Sequence, residues 1–236
     1  MKKLSILLTS ALLFAGSAIA ATPLRISVLG DSYSTFEGCV APDSNLVWYF
    51  TPESQYRQKN NDVTSRDQTW WAQVVSRMGA ELVVNNSFSG ATICYTGYRD
   101  RTGKPADYEN RSFVNRTAYL GNPDVILVCG ATNDSWCGAP IGDYKYADWT
   151  RDDLRTFRPA MACMCSRLKE LYPKARIVFM LNSELKPEIN ETVHTVCSRY
   201  AIECIDLHDI EKQMGHPSIK GMKAIADQVV ERLTAK

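Results

Sequence analysis

The sequence predicts an α/β protein with a three-layer α/β/α sandwich, in which about five parallel strands form the central sheet. Two observations predict this fold class. Short β-branched, apolar segments alternate with helix-like patterns along nearly the whole chain, and such alternation folds as right-handed βαβ units. The strand-like segments are also apolar throughout instead of alternating with polar residues. Strands of this composition are typical of a parallel sheet that helices cover on both faces.

The predicted strands are short apolar segments bounded by polar residues, and they occupy residues 24–29, 82–85, 124–129, 176–181 and 202–206. Helical patterns lie between them and after the last one, over residues 69–78, 152–172, 188–199 and 218–233. Pro187 and Pro217 precede the last two helices, and proline is well tolerated where a helix begins. Two long stretches, 36–67 and 96–112, have neither pattern. Loops of that length inside a domain are usually functional or locally structured.

The first twenty residues have the pattern of a cleavable signal peptide. Lys2 and Lys3 form a short basic head, residues 4–18 are largely apolar, and Ala18 and Ala20 supply the small residues that a signal peptidase accepts. The apolar stretch is too short for a membrane-spanning helix. We therefore expect cleavage after Ala20, no membrane insertion afterwards, and a secreted or periplasmic protein with a single domain over residues 21–236.

The composition excludes several classes of protein. The chain has 27 Lys and Arg against 26 Asp and Glu and no basic run, which argues against binding to nucleic acid or an anionic membrane. Charged residues make up 22% and aromatic residues 10% of the chain, which argues against disorder. A domain of this size buries roughly 70% of its unfolded surface, so its core does not depend on disulfides. The oligomeric state is not predicted.

The three histidines are too few for a metal site made of several histidines, and we expect neither a metal nor another cofactor. His194 lies among polar neighbours in a predicted helix, so we expect it on a solvated face. His208 follows the last predicted strand and is a candidate for supporting the site. His216 is the third, and it stands directly before Pro217.

A polar or glycine-rich turn follows the first three strands, and another precedes the last helix. These turns are Gly30-Asp31-Ser32-Tyr33-Ser34, Asn85-Asn86-Ser87-Phe88-Ser89-Gly90-Ala91-Thr92, Gly130-Ala131-Thr132-Asn133-Asp134 and His216-Pro217-Ser218. In an open parallel sheet, ligands bind beyond the carboxyl ends of the strands. Each turn alone could be an ordinary cap or turn. Four such turns in order predict an active site at one edge of the sheet.

At these turns the sequence resembles the SGNH (GDSL) hydrolase family, which comprises esterases and acylhydrolases on a flavodoxin-like sandwich. The matching blocks span residues 25–230. The resemblance implies that Ser32 is the nucleophile and that His216 is its base, because a hydroxyl is a weak nucleophile without one. It further implies an oxyanion hole formed by the backbone N–H groups of Ser32 and Gly90 and the side-chain amide of Asn133.

The sequence departs from the family pattern at the third catalytic position. The family places an Asp three residues before the catalytic His, and this chain has Gln213 there. A third group normally fixes the tautomer of the imidazole and steadies the imidazolium. Three interpretations remain open: a Ser32–His216 dyad whose His donates to a backbone carbonyl, a triad completed by Asp209, or a triad completed by Asp206. We rank the dyad and Asp209 level and Asp206 third.

Eight cysteines lie after the predicted cleavage point, and none forms a CxxC pair. A zinc ribbon or a thioredoxin-type motif is therefore not indicated. Cys39, Cys94 and Cys137 each follow one of the motif turns, so we expect them near the active edge. A disulfide between two of them would rigidify the mouth of the site, but the sequence does not determine a pairing.

These observations favour a serine ester hydrolase that cleaves acyl or acetyl esters through an acyl-Ser32 intermediate. We expect a small-molecule or glycan ester as substrate, and a carbohydrate ester first, because Trp48 and Tyr49 in the long loop could form a wall against a sugar. Asp134 is a further candidate for substrate binding. Trp48 and Tyr49 could equally pack the long loop onto the domain. The alternatives are a lysophospholipase- or thioesterase-type acylhydrolase and, since Gln213 replaces the acid, a non-catalytic glycan-binding module.

Overall fold

A computed structural model describes residues 22–57 and 60–235 of the chain. Its central sheet has five parallel strands, namely β1 (Arg25–Gly30), β2 (Glu81–Ser87), β5 (Val125–Gly130), β6 (Arg176–Leu181) and β7 (Glu203–Asp206). Their order across the sheet is β2-β1-β5-β6-β7, and every neighbouring pair is parallel. This is the flavodoxin-like order, which changes direction between β1 and β5. The predicted signal peptide at residues 1–20 lies outside the described residues.

The predicted sandwich and its five-stranded parallel sheet are confirmed. The predicted strand over residues 176–181 has the bounds that the structure shows, and the others differ by one or two residues at their ends. β5 is buried along its whole length, and β1 and β6 are buried except at their first residue. This burial explains why their sequences are apolar without alternation.

Helices lie between these strands and after the last one. They are α1 (Trp70–Arg77), α2 (Phe113–Arg116), α3 (Thr132–Cys137), α4 (Phe157–Leu171), α5 (Pro187–Arg199) and α6 (Ile219–Thr234). The helix predicted over residues 152–172 begins later than expected, at Phe157. Pro159 lies in its first turn, and proline is tolerated there because the N–H groups of the first turn have no partner within the helix. None of the helices in the described ranges is both long and apolar enough to cross a bilayer.

The two faces of the sheet pack against different helices. On one face, residues of β1, β5 and β6 contact α1 and α6, with Trp70, Val74, Met222, Ile225 and Val229 in the shared apolar cluster. On the other face, the alternate residues of the same strands contact α2, α4 and α5, with Phe113, Phe157, Met161, Ile189 and Val193 in the second cluster. The rigid sheet between these layers fixes the positions of its carboxyl-end turns.

The stretches without a predicted pattern contain local structure. Arg66–Gln68 forms a short 3-10 turn before α1, and β3 (Thr96–Arg99) pairs with β4 (Pro105–Asp107) in a small antiparallel sheet. A second small sheet joins β8 (Lys212–Gln213) to β9 (His216–Pro217). Strands of two to four residues have too few positions to show a period in the sequence.

The cysteines are free thiols in the structure. Cys39 packs with the cluster on the α1 and α6 face, whereas Cys94 and Cys137 pack with the opposite cluster. The sulfur atoms of Cys94 and Cys137 lie 3.5 Å and 4.0 Å from the same carbonyl oxygen, that of Thr96. Cys94 and Cys137 therefore lie close together, whereas Cys39 packs on the other face of the sheet.

Candidate active site

Ser32 lies in a tight turn at the carboxyl end of β1. Asp31 caps this turn, since its carboxylate accepts a hydrogen bond of 3.0 Å from the backbone N–H of Tyr33. Gly30 is required by close packing, because a Cβ atom there would lie 2.5 Å from the hydroxyl oxygen of Ser87 in β2. The turn places the Ser32 hydroxyl beyond the strand end, where the fold predicts a ligand site.

His216 is presented by the small hairpin of β8 and β9. Gln213 and His216 are paired across it, and the two residues between them, Met214 and Gly215, have φ values of 51° and 74°. Positive φ at both positions is the requirement of a type I′ turn. The hairpin brings His216 Nε2 to 2.9 Å from Ser32 Oγ. The structure thus joins the predicted nucleophile and the predicted base, which are 184 residues apart in the chain.

The other ring nitrogen of His216 faces the backbone. Its Nδ1 lies 3.1 Å from the carbonyl oxygen of Met214. Because a carbonyl oxygen can only accept, Nδ1 carries the hydrogen and Nε2 is left with a lone pair toward Ser32. Within the described residues, no carboxylate oxygen lies within 4.0 Å of a ring nitrogen of His216. The geometry is that of the dyad interpretation.

Asp209, the acid predicted for the third position, does not reach His216. Its side chain is 93% exposed, and its carboxylate lies 2.9 Å from Nδ1 of His208. His208 is itself 72% exposed at the side chain, so neither residue supports the imidazole. The backbone of Asp209 is in the left-handed region, with a φ of 55°.

Asp206 and Gln213 are also directed away from His216. The carboxylate of Asp206 lies 3.1 Å from Nε2 of His194, whose side chain is 48% exposed. The side-chain oxygen of Gln213 accepts a hydrogen bond of 2.9 Å from the backbone N–H of Asp62. Gln213, which stands where the family has its acid, therefore links the long loop over residues 36–67 to the hairpin.

Gly90 occupies a turn directly after β2. The N–H of Ala91 donates to the carbonyl oxygen of Phe88 at 3.1 Å, and Gly90 between them has a φ of 79°. This left-handed conformation favours glycine. No protein atom lies within 4 Å of the position that a Cβ of Gly90 would occupy. The need for glycine is thus conformational, and the side of Gly90 where a side chain would stand is open.

Asn133 lies in the first turn of α3, and both ends of its amide are hydrogen-bonded. Its Nδ2 donates to the carbonyl oxygen of Ala91 at 3.0 Å, beside Gly90. Its Oδ1 accepts a hydrogen bond of 2.8 Å from the hydroxyl of Tyr98. These contacts fix which end of the amide is the donor, and they leave the second Nδ2 hydrogen for a ligand. Ala131, two residues earlier, has a φ of 73°, a strained conformation of the kind found at functional sites.

Two residues predicted to bind substrate are buried in supporting positions. Asp134 accepts hydrogen bonds from the backbone N–H groups of Ile93 at 2.8 Å and Cys94 at 3.1 Å, and burial raises the pKa of its carboxyl to about 6. Tyr49 is 2% exposed, and its hydroxyl donates to the carbonyl oxygen of Pro217 at 2.9 Å. Both side chains predicted to contact a substrate are thus buried and bonded to the backbone of the protein itself.

Aromatic rings surround the imidazole of His216. Trp48 is stacked on it, with ring centroids 3.6 Å apart and planes inclined by 8°. Trp136 approaches it edge-on at 6.0 Å and is 44% exposed. The ring centroid of Tyr33 lies 5.4 Å from that of His216, and the Tyr33 hydroxyl donates to the carbonyl oxygen of Gly215 at 2.7 Å. Trp136 was not predicted from the sequence, although it follows Asn133 by three residues, the spacing that places two side chains on one helix face.

Burial controls the electrostatics of the site. It lowers the pKa of His216 to about 4, and the hydrogen bond to the Met214 carbonyl opposes this shift. The imidazole is therefore neutral at pH 7 and available as a base. Burial also raises the pKa of Asp31 to about 7. The buried guanidinium of Arg116 contacts the carbonyl oxygens of Gly30, at 3.1 Å, and Asn86, so it joins the carboxyl ends of β1 and β2.

One cluster among the described residues combines three types of metal ligand, namely His194, Cys204 and Asp206. It lies on α5 and β7, and none of its members bonds to Ser32 or His216. Contact with the Cys197 thiol, together with burial, raises the pKa of the Cys204 thiol far above its usual range. A thiol in this condition resists forming the thiolate that binds a metal. The cluster fits a metal ion poorly, and His194 and Asp206 already pair with each other.

Comparison with known proteins gives consistent matches. The profile of a family described as GDSL-like lipase/acylhydrolase matches residues 24–233. A Bacteroides ovatus ATCC 8483 protein assigned as a GDSL-like lipase is 51% identical, with a TM-score of 0.85 over 90% of this chain and 98% of its own. A Bacteroides uniformis ATCC 8492 protein of the same assignment is 49% identical, with a TM-score of 0.85 over 91% of this chain and 97% of its own.

More distant structures share the fold. A family two carbohydrate esterase from Clostridium thermocellum, solved with cellohexaose, is 17% identical, and the similarity covers 90% of this chain and 64% of that one with a TM-score of 0.54. No curated protein matches the chain.

Proposed function

The chain belongs to the GDSL-like lipase/acylhydrolase family and is a carboxylic ester hydrolase, and we propose that it works through an acyl-enzyme on Ser32 with His216 as its base. The observation that supports this mechanism is the 2.9 Å separation of His216 Nε2 from Ser32 Oγ. The hydroxyl of a serine becomes an effective nucleophile only when a base within hydrogen-bond distance accepts its proton.

In the first half of the proposed reaction, Ser32 Oγ attacks the ester carbonyl while its proton passes to His216 Nε2. The carbonyl oxygen becomes an oxyanion, which receives hydrogen bonds from the backbone N–H groups of Ser32 and Gly90 and from Asn133 Nδ2. When the tetrahedral intermediate collapses, the bond to the alkoxide breaks and His216 Nε2–H protonates that leaving group. The products of this half are the free alcohol and the acyl-Ser32 ester.

In the second half, a water molecule attacks the acyl carbonyl and transfers a proton to His216 Nε2. Collapse of the second intermediate breaks the bond to Ser32 Oγ, which regains the proton, and the carboxylic acid leaves. The Met214 carbonyl accepts from His216 Nδ1 throughout, so it keeps the reactive lone pair on Nε2. This contact supplies the orientation that a carboxylate supplies in a triad.

For the substrate, we propose an acyl or acetyl ester carried by a carbohydrate. The support is Trp136, whose half-exposed indole lies next to His216 at the mouth of the site. Indole faces are suited to packing against the apolar face of a sugar ring while the hydroxyl groups remain solvated. A secreted or periplasmic location, with the leader removed after Ala20, would place the protein where such glycans occur.

The mechanism is tested with the purified protein and p-nitrophenyl acetate. We expect hydrolysis that Ser32→Ala reduces by roughly 10³-fold or more, whereas Ser34→Ala in the same turn serves as the matched control and retains activity. A wild-type protein trapped on substrate should carry an acyl group on Ser32 in peptide mass spectra. Undiminished hydrolysis by Ser32→Ala would exclude the mechanism. Glycan binding without hydrolysis of any ester would instead support a non-catalytic module.

The substrate class is tested with acetylated oligosaccharides, lysophosphatidylcholine and an acyl thioester at equal concentrations. We expect the highest kcat/KM on the saccharide ester, and Trp136→Ala should raise KM for that substrate more than for p-nitrophenyl acetate. Tyr119→Ala is the control, because this side chain is 67% exposed and lies outside the rings around His216. Preference for the lysophospholipid or the thioester would contradict the carbohydrate proposal and leave the Ser32 mechanism intact.

A further inference from the structure

The stacking of Trp48 on His216 gives this loop residue a specific task. We propose that Trp48 is a positioning residue for His216, and that its indole face and the Met214 carbonyl together do what a carboxylate does in a triad. The inference rests on the proposed role of His216 as the base. It differs from the sequence expectation, in which Trp48 formed a wall for a sugar.

The two contacts of the imidazole constrain different motions. The Met214 carbonyl at 3.1 Å from Nδ1 fixes the direction of one ring edge. The indole of Trp48, with centroids 3.6 Å apart and planes 8° from parallel, covers one whole face of the imidazole. Rotation of the imidazole out of its plane would drive it into the indole. Together the contacts leave Nε2 directed at Ser32 Oγ.

The segment that carries Trp48 makes hydrogen bonds toward both catalytic segments. Its backbone N–H donates to the hydroxyl of Thr35 at 2.8 Å, and that hydroxyl donates to the carbonyl oxygen of Ser32 at 3.0 Å. The next residue, Tyr49, donates through its hydroxyl to the carbonyl oxygen of Pro217 at 2.9 Å. The stacked ring thus lies on a segment that is bonded to the nucleophile turn on one side and to the base strand on the other.

The same segment is bonded to the turn of the proposed oxyanion hole. The carbonyl oxygen of Leu46 accepts from the N–H of Ser89 at 2.8 Å. The side chain of Asn45 donates to the carbonyl oxygen of Ser87 at 3.1 Å. The loop around Trp48 therefore makes hydrogen bonds to three of the four motif turns or to the residues beside them.

The indole also supplies an electrostatic contribution when His216 accepts the serine proton. The imidazolium that forms lies against the electron-rich face of the indole, which attracts a cation. The other groups near the ring are Tyr33, Tyr49 and Trp136, which are uncharged, and Met214, whose carbonyl faces Nδ1. No carboxylate among the described residues lies within 4.0 Å of its ring nitrogens. The stacked face, together with the Met214 carbonyl at Nδ1, is thus suited to stabilise the charge that forms.

The test compares Trp48→Leu, which fills space without an aromatic face, with Trp48→Phe, which retains a smaller face. On p-nitrophenyl acetate we expect Trp48→Leu to lower kcat by about 10-fold or more, with KM changed by less than about 3-fold. Trp48→Phe should restore most of the lost kcat. Trp149→Leu is the matched control, because Trp149 is a half-buried indole in another part of the chain whose N–H bonds to the Lys145 carbonyl. It should retain kcat.

The thermal transition of each variant is measured alongside its kinetics, and Trp48→Met replaces the leucine variant if that variant does not fold. Equal kcat values for the phenylalanine and aliphatic variants would overturn the proposal, because the aromatic face would then do nothing. A raised KM for a saccharide ester with unchanged kcat would also overturn it and make Trp48 a substrate wall. Inactive Ser32→Ala with fully active Trp48→Leu would refute this inference alone and leave the proposed function standing.

Discussion

The Nδ1 nitrogen of His216 lies 3.1 Å from the carbonyl oxygen of Met214, a residue only two positions earlier in the chain. This contact exists because Met214 and Gly215 form a two-residue turn with positive φ at both positions. The turn directs the carbonyl back toward the ring that it precedes. A local backbone feature thus occupies the position where a triad has a carboxylate, and it determines which ring nitrogen faces Ser32.

The first prediction concerns pH. A base is active when it is deprotonated, so kcat/KM should rise with pH through the pKa of free-enzyme His216. Because burial lowers this pKa to about 4, we expect the rise near pH 4 and a plateau from about pH 6 to 8. The measurement is the pH profile of p-nitrophenyl acetate hydrolysis, corrected for the uncatalysed rate at each pH.

Circular dichroism at each pH provides the control for this profile. The depressed pKa of His216 contributes stability that is present above the unfolded pKa of about 6.5 and is lost as the pH falls through about 4. The folded fraction must therefore be known before a loss of rate is attributed to the base. An inflection near 6.5 in fully folded protein would show that the imidazole titrates as a solvated group.

The second prediction concerns the acidic residues near the end of the chain. Asp209→Asn and Asp206→Asn should each change kcat/KM by less than about 2-fold, because their carboxylates lie against His208 and His194 instead of His216. Loss of the acid from a working triad costs about 10⁴-fold in kcat. A large loss in Asp209→Asn alone would mean that this side chain reaches His216 during catalysis.

The third prediction concerns the proposed oxyanion donor. Asn133→Ala should lower kcat by about 10²–10³-fold with little change in KM, because the oxyanion forms only in the reaction. Tyr98→Phe should lower kcat by a smaller factor, since its hydroxyl only fixes the amide of Asn133 through a bond of 2.8 Å. Tyr95→Phe is the control, as the hydroxyl of Tyr95 bonds to Asn115. If Tyr98→Phe and Tyr95→Phe had equal kcat, Tyr98 would have no role in orienting Asn133.

The fourth prediction concerns the packing of α6 against the segment that precedes the hairpin. A Cβ atom on Gly221 would lie 2.1 Å from the carbonyl oxygen of Glu211, so Gly221→Ala must displace backbone. We expect the free energy of unfolding to fall by about 1–3 kcal/mol in urea titrations. Lys220→Ala, at a side chain that is 79% exposed, should change it by less than about 0.5 kcal/mol. Equal stability of the two variants would contradict this close contact.

The sequence by itself determined the fold class and the order and approximate bounds of the five strands along the chain. These features depend on local information. Apolar runs mark strands that are covered on both faces, and parallel strands bring the residues that follow them to one edge of the sheet. The pair Ser32 and His216, with Gly90 and Asn133 beside it, was expected from the resemblance of the four motif turns to a known family.

Only the tertiary structure decided what surrounds the imidazole. Asp209 and Met214 both precede His216 within a short stretch of the sequence, by seven and two residues. The conformation of the β8–β9 hairpin determines that the Met214 carbonyl is the one that contacts the ring. Tyr98 and Trp48 reach the site from stretches without a sequence pattern. Their positions follow from packing and hydrogen bonds between residues far apart in the chain, and periodicity in a local window contains no information about such contacts.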